Sequence, residues 1–105
     1  MTSTIDGALL LFDKWYQERT AVTCVLVSGG LEMQFTGRIE SMDAGTVTIA
    51  NENEAASLRL ALHSVHEFRY CDARELGDPE AREKFAGFLI MRLSDGNIVH
   101  VAEPK

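Results

Sequence analysis

The most informative stretch of this 105-residue sequence is Leu31–Asp43, which reads LEMQFTGRIESMD. Apolar and polar residues alternate from Leu31 to Phe35, which is typical of a strand with one buried face. Gly37 interrupts the alternation, and the pattern resumes at Ile39. A glycine inside a long strand often marks a bend, because the missing side chain lets the backbone curve. We therefore predict one long strand that bends sharply at Gly37.

Four further strands are predicted around this one, each rich in alternating or β-branched residues and bounded by turn residues. Ser28-Gly29-Gly30 predicts a tight hairpin before the long strand, and Asp43-Ala44-Gly45 predicts a turn after it. The strands are predicted at about 22–27, 46–49, 58–62 and 66–71. Five strands with one sharp bend favour a small barrel, because closure removes most exposed edges. We predict a mainly β fold with a bent five-stranded antiparallel barrel over residues 21–71.

An N-terminal helix is predicted from about Thr4 to Arg19, within the segment 1–20. Its apolar residues follow helical spacing, and Ser3 followed by Asp6 resembles a capping box. The apolar surface is wider than one face, since it includes Leu10, Leu11 and Trp15. Such a helix docks on a barrel end or a neighbouring subunit, or it closes its own core.

The last segment, residues 72–105, predicts a short helix and a hairpin. Asp78 and Pro79 form a strong helix start for residues 81–85. Asp95-Gly96 separates two apolar runs, 89–93 and 98–102, as a hairpin turn does. An isolated hairpin is marginal in water, so this one should pack on the barrel or extend its sheet.

Charge and composition narrow the possible functions. The chain carries 16 acidic and 10 basic residues, for a net charge of −6, and no segment is basic. Nucleic-acid binding draws most of its free energy from basic residues that neutralise phosphates, so this balance disfavours RNA as a partner. Apolar stretches are too short for a membrane span, so no membrane partner and a cytoplasmic location are expected.

Enzymatic chemistry is not predicted. The sequence contains no phosphate-binding or dinucleotide motif, and neither Cys24 nor Cys71 has a neighbouring histidine that could act as a base. The two cysteines are too few for a disulfide framework and are expected to be buried thiols. His63 and His66 lack further spaced ligands, so we predict no metal and no cofactor.

The sequence contains Glu18-Arg19, Leu26-Val27, Gly30 and the run Phe35–Asp43. Together these residues resemble the Sm-like family, most closely its Hfq branch of bacterial RNA chaperones. The resemblance covers the helix and residues 21–71. It implies a head-to-tail ring, in which the fourth strand of one subunit pairs with the fifth strand of the next. The implied pairing residues are Leu58, Leu60, Leu62, Phe68 and Tyr70.

The same resemblance implies candidate RNA contacts. Arg59 matches the cation of a Lys-His pair that lines the family's pore, although a shift of three residues would place Leu62-His63 there instead. The family's rim carries an arginine-rich patch at the end of the helix, of which Arg19 is the single arginine that remains here, and Arg38 and Gln34 are further candidates.

Three hypotheses remain open at this point. The first is a non-enzymatic, ring-forming assembly or protein-binding module. The second is an RNA-binding protein, and the third is a monomeric SH3-like adaptor.

Overall fold

A computed structural model describes residues 5–43, 45–51, 56–75, 77 and 79–105. Helix α1, Ile5–Gln17, buries Ala8, Phe12 and Trp15 completely, because their spacing puts them on one helical face. It ends where Arg19 takes a left-handed φ of 52° and the Thr20 amide donates to the Trp15 carbonyl. The predicted N-terminal helix is confirmed, and its Ser3 cap lies outside the described residues.

Seven antiparallel strands form one sheet. They are β1 Val22–Ser28, β2 Leu31–Asp43, β3 Thr46–Ala50, β4 Ser57–Ala61, β5 Val65–Asp72, β6 Phe85–Leu93 and β7 Ile98–Pro104. Short helices occupy Leu62–Ser64, Ala73–Glu75 and, as α2, Pro79–Lys84. The neighbours run in the order β4-β3-β2-β1-β7-β6-β5. The mainly β class is confirmed.

Strand β2 changes its partner at Gly37. Its first half pairs with β1 up to the pair Val22 and Gly37, and its second half pairs with β3 from Arg38 and Ala50 onward. A Cβ atom at Gly37 would collide with the Ala50 carbonyl group and would lie 3.0 Å from the Asn51 nitrogen. Only glycine therefore fits at position 37, where the backbone at the end of β3 comes close to β2.

The sheet curls so that its two ends approach each other. Six strand intervals would span about 29 Å if the sheet were flat. Only the turn Leu62–Ser64 separates the end of β4 from the start of β5, and a connection of that length spans at most about 14 Å. Leu60 of β4 and Phe68 of β5 accordingly belong to the same buried cluster.

The five-stranded closed barrel predicted over residues 21–71 is not confirmed. All five strands are present, but the hairpin of β6 and β7 lies inside the sheet: β7 pairs with β1 and β6 pairs with β5. The reason is burial, since this hairpin contributes four almost fully enclosed core residues: Leu89, Met91, Val99 and Val101. Burying this apolar surface stabilises the fold far more when the hairpin lies inside the sheet than when it projects from it. Asp78, the predicted cap, lies outside the described residues.

One carboxylate ties the helix to the sheet. Glu103 of β7 accepts hydrogen bonds from Trp15 Nε1 at 3.0 Å and from the Tyr70 hydroxyl at 2.9 Å, and Lys14 Nζ lies 3.1 Å away. Burial raises the pKa of Glu103, but these three donors outweigh it and hold the pKa below its usual range. Gly87 makes room, because a Cβ there would strike the Tyr70 hydroxyl.

Candidate functional site

The two ends of the sheet are its most distinctive feature. Strands β4 and β5 each have one sheet neighbour in the described part of the chain, β3 for β4 and β6 for β5. The outer edge of such a strand presents backbone N–H and C=O groups that can pair with another strand. The Sm-like resemblance implies a subunit contact through these same two strands, which stays a prediction.

Side chains on β4 alternate between the two faces. Leu60 is buried in the core and Leu58 is half-buried, whereas Ser57 and Arg59 are exposed on the outer face. The predicted pairing residue Leu62 lies past the end of β4, in the short helix that follows. Its side chain is buried and its amide donates to the Gly45 carbonyl, so Leu62 belongs to the core more than to the edge.

Strand β5 presents a matching arrangement. Phe68 is buried and Tyr70 is half-buried on the inner face. Glu67 and Arg69 are exposed on the outer face, and Glu67 Oε2 pairs with Arg92 Nε of β6 at 3.1 Å. A β-bulge between Val65 and Glu67 interrupts the ladder with β6, so the regular part of the edge begins at Glu67.

Three of the four predicted RNA-contact residues lie close together. Arg38 Nε donates to the Arg19 carbonyl at 3.0 Å, which joins β2 to the end of α1. The two arginines line a cleft of about 480 Å³ together with Tyr16, Gln17, Ile39 and Glu40. The turn at the end of α1 is therefore what brings Arg19 beside the strand.

A second cleft of about 450 Å³ continues the first. It is lined by Glu40, Thr48, Ala50, Ser57 and Arg59, so Glu40 belongs to both clefts. Cross-strand pairing explains the placement, because Arg59 lies opposite Thr48 and Arg38 lies opposite Ala50. We call this surface, formed by Arg19, Arg38, Glu40 and Arg59, the arginine surface. Gln34 lies on the other half of β2, opposite Val25, and lines neither cleft.

The Cys24 thiol is buried in the core. Burial raises the pKa of the Cys24 thiol to about 12, so the reactive thiolate is scarce near neutral pH. Within the described ranges, no group of three or more histidine, cysteine or acidic residues is placed to hold a metal ion. Nor is any described helix both long and apolar enough to cross a membrane.

Sequence reasoning missed the cluster around Glu103. Lys14 and Trp15 are separated from Glu103 by almost the whole chain, so no local pattern connects them. The available signal was the Trp15 indole, because a buried tryptophan N–H needs an acceptor.

Comparisons with known proteins leave the family open. No protein-family model, curated protein or solved structure matches this chain. The Sm-like resemblance therefore stays a prediction, supported by the residues that suggested it.

Proposed function

We propose that the chain is a non-enzymatic assembly module whose copies join head to tail, β4 of one copy against β5 of the next. The observation that carries the proposal is the sheet order, in which these two strands stand at opposite ends. They are the strands that the Sm-like resemblance assigns to ring closure.

The chemistry of both edges favours pairing. Natural proteins protect exposed edges with proline, with inward-pointing charges or with very short strands. Neither β4 nor β5 contains proline, and the inner-face residues along them from Leu58 to Leu60 and from Phe68 to Tyr70 are apolar or aromatic. A strand of another copy would cover Leu58 and Tyr70, which are half-buried in the single chain.

The geometry of the contact favours a ring. Because the two edges differ, each copy uses β4 on one side and β5 on the other, which is a heterologous contact. Such contacts close into a ring when the rotation between copies permits it. The curl of the sheet around Gly37 would set that rotation, since it fixes the angle between the two edges.

A protein-binding role fits the same assembly. Leu10 of α1 is 73% exposed, and Leu31 and Met33 near the β1–β2 turn are 77% and 60% exposed. A ring would repeat these apolar side chains around its axis, which is the arrangement expected of a scaffold.

Sedimentation velocity at micromolar concentration tests the proposal. The 11.6 kDa chain should sediment as a multiple of its own mass. Leu58→Lys should return it to a single copy, because an inward charge at an edge strand opposes pairing. Met33→Lys is the matched control, since it adds the same charge at an exposed strand position away from both edges. A native chain that sediments as a single copy would remove the proposal and favour the monomeric adaptor.

RNA binding is a second candidate, and the arginine surface is the observation that favours it. Three guanidinium groups in adjoining clefts supply hydrogen-bond donors and positive charge that suit phosphate groups. Glu40 lies among them and opposes a polyanion, as does the net charge of −6. Binding would therefore be weak and strongly dependent on salt.

Titration of labelled oligo-U and oligo-A at two salt concentrations tests this candidate. Arg59→Ala should weaken binding and reduce its salt dependence. Arg74→Ala is the matched control, because it removes the same charge from a residue that pairs with Asp72 and lines neither cleft. Equal losses in the two variants, or no binding at low salt, would remove the RNA candidate.

A further inference from the structure

The exposed charges on β4 and β5 limit how these two edges could pair with each other. When one sheet continues into another, inner-face side chains must stay on the inner face. Leu58 and Leu60 are inward on β4, and Phe68 and Tyr70 are inward on β5. An antiparallel contact must therefore pair even-numbered residues with even-numbered ones and odd with odd.

Three registers meet this condition and align at least three residues of the regular ladder. They differ in what faces Arg59 on the outer side of the sheet. In the first register Arg59 faces Glu67, in the second it faces Arg69, and in the third it faces Cys71.

The second and third registers bring unfavourable neighbours together. The second register places two exposed guanidinium groups directly opposite each other, and like charges in that position are destabilising. The third register gives Arg59 a buried thiol to face and brings the Asp72 carboxylate against the apolar Leu58. Neither arrangement offers Arg59 an acceptor directly across the contact.

The first register does provide one. Arg59 meets the Glu67 carboxylate, and Ser57 meets Arg69, so both outer-face pairs are polar and compatible. Glu67 is already held by Arg92 on its own sheet, at 3.1 Å, which fixes its position before association. In the contact, this carboxylate would lie between two guanidinium groups.

Resting on the assembly proposed above, we infer that a second copy of this chain docks with its Glu67 directly opposite Arg59. This pair of opposite charges determines which residues of the two strands lie opposite each other. Each copy carries a net charge of −6, so long-range repulsion opposes association, and a local pair of opposite charges favours one alignment over its neighbours.

Engineered disulfides distinguish the three registers. Directly opposite residues bring their Cβ atoms within about 5 Å, whereas diagonal neighbours lie about 7–8 Å apart, too far for a disulfide. In a Cys71→Ala background, the variant Ser57→Cys/Arg69→Cys should form covalent multimers on mild oxidation. Two variants that keep Arg59 and Glu67 should not: Ser57→Cys with the native Cys71, which reports the second register, and Ala61→Cys/Arg69→Cys, which reports the third. Cross-linking of either of these two in place of the first would overturn the register while leaving the assembly intact.

Charge reversal gives an independent test. Arg59→Glu should weaken association by about fivefold, because it turns an attractive cross-strand pair into a repulsive one. Adding Glu67→Arg should recover part of the loss, with Arg92 limiting the recovery. If Arg59→Glu strengthens association, Arg59 faces Arg69 and the inference is wrong. If the native chain has the mass of a single copy, the proposed function and the register are both wrong. If it assembles but cross-links in another register, only the register is wrong.

Discussion

Replacing Glu103 by glutamine should destabilise this protein far more than removing an exposed carboxylate. The carboxylate accepts from the Trp15 indole and the Tyr70 hydroxyl, and its side chain is only 12% exposed. It joins α1 to β5 and β7. A glutamine keeps one acceptor oxygen but turns an N–H₂ group toward the other donor, which leaves a partly buried donor unsatisfied.

The magnitude follows from these contacts. Losing one hydrogen bond to a charged acceptor costs about 1.5–3 kcal/mol when the remaining donor stays buried. The Lys14 pair contributes less than about 1 kcal/mol, because the Lys14 side chain is 51% exposed. Glu103→Gln should therefore lower the free energy of unfolding at pH 7 by about 3 kcal/mol, which corresponds to a fall in Tm of roughly 10–20 °C.

The pH dependence has a definite sign. The pKa of Glu103 in the folded chain lies below its ordinary value of 4.5, so the ionised carboxylate stabilises the fold above that pH. This contribution is lost as pH falls through the lower, folded pKa. The difference between the native chain and Glu103→Gln should be full at pH 7 and should shrink steadily below about pH 4.5.

Urea denaturation between pH 3 and pH 7 provides the assay. Glu83→Gln is the matched control, since Glu83 is exposed on α2 and its substitution removes the same charge. If the two variants lose equal stability at pH 7, or if the Glu103→Gln deficit does not depend on pH, the reasoning about this carboxylate is wrong.

Three further outcomes are expected. Gly37→Ala should lower the free energy of unfolding by about 3 kcal/mol in denaturant titrations, the upper end for overpacking, because the added Cβ meets Ala50 backbone atoms. Gly77→Ala is the control and should lose much less stability, because the space around Gly77 is open. Equal losses would contradict the close approach at Gly37. Tyr70→Phe should cost about 1.5–3 kcal/mol by the same method, because its hydroxyl donates to a charged acceptor, and an unchanged midpoint would show that this hydroxyl contributes nothing. Cys24 and Cys71 should react with a disulfide reagent at pH 8 only after denaturant is added, so rapid labelling of the native chain would contradict their burial.

Local patterns predicted the elements of this fold well. Gly29 and Gly30 take φ values of 59° and 128°, and Gly96 takes 93°, so these turns required glycine and were visible in the sequence. Alternating or β-branched residues located the first five strands, and the apolar runs on either side of Asp95-Gly96 located the last two. The buried face was predicted wrongly in the first half of β2, where Leu31 and Met33 are exposed.

Neighbour order was not predictable in the same way. Alternation tells which face of a strand is buried, but it does not tell which strand lies beside it. Strand β7 lies between β1 and β6. Several other strand orders would suit the same local patterns, and the order that forms depends on how well the whole core is buried. The predicted barrel boundary at residue 71 therefore separated strands that share one sheet.

The candidate site was predictable only through the resemblance. It pointed to Arg19, Arg38 and Arg59, and the structure brings these three into adjoining clefts, whereas Gln34 lies elsewhere on β2. The clustering depends on the turn after α1, where the Arg19 carbonyl meets Arg38, and a contact between a helix end and a strand leaves no periodic trace in the sequence.

Hydrogen–deuterium exchange measured at low and high protein concentration tests the edge-to-edge assembly most directly. Amides of residues 57–59 and 67–69 that point out of the sheet edge should exchange more slowly as concentration rises, while amides of the internal strands β1 and β7 stay unchanged. Exchange on β4 and β5 that is independent of concentration over a range where the mass changes would contradict the account, because copies would then associate through some other surface.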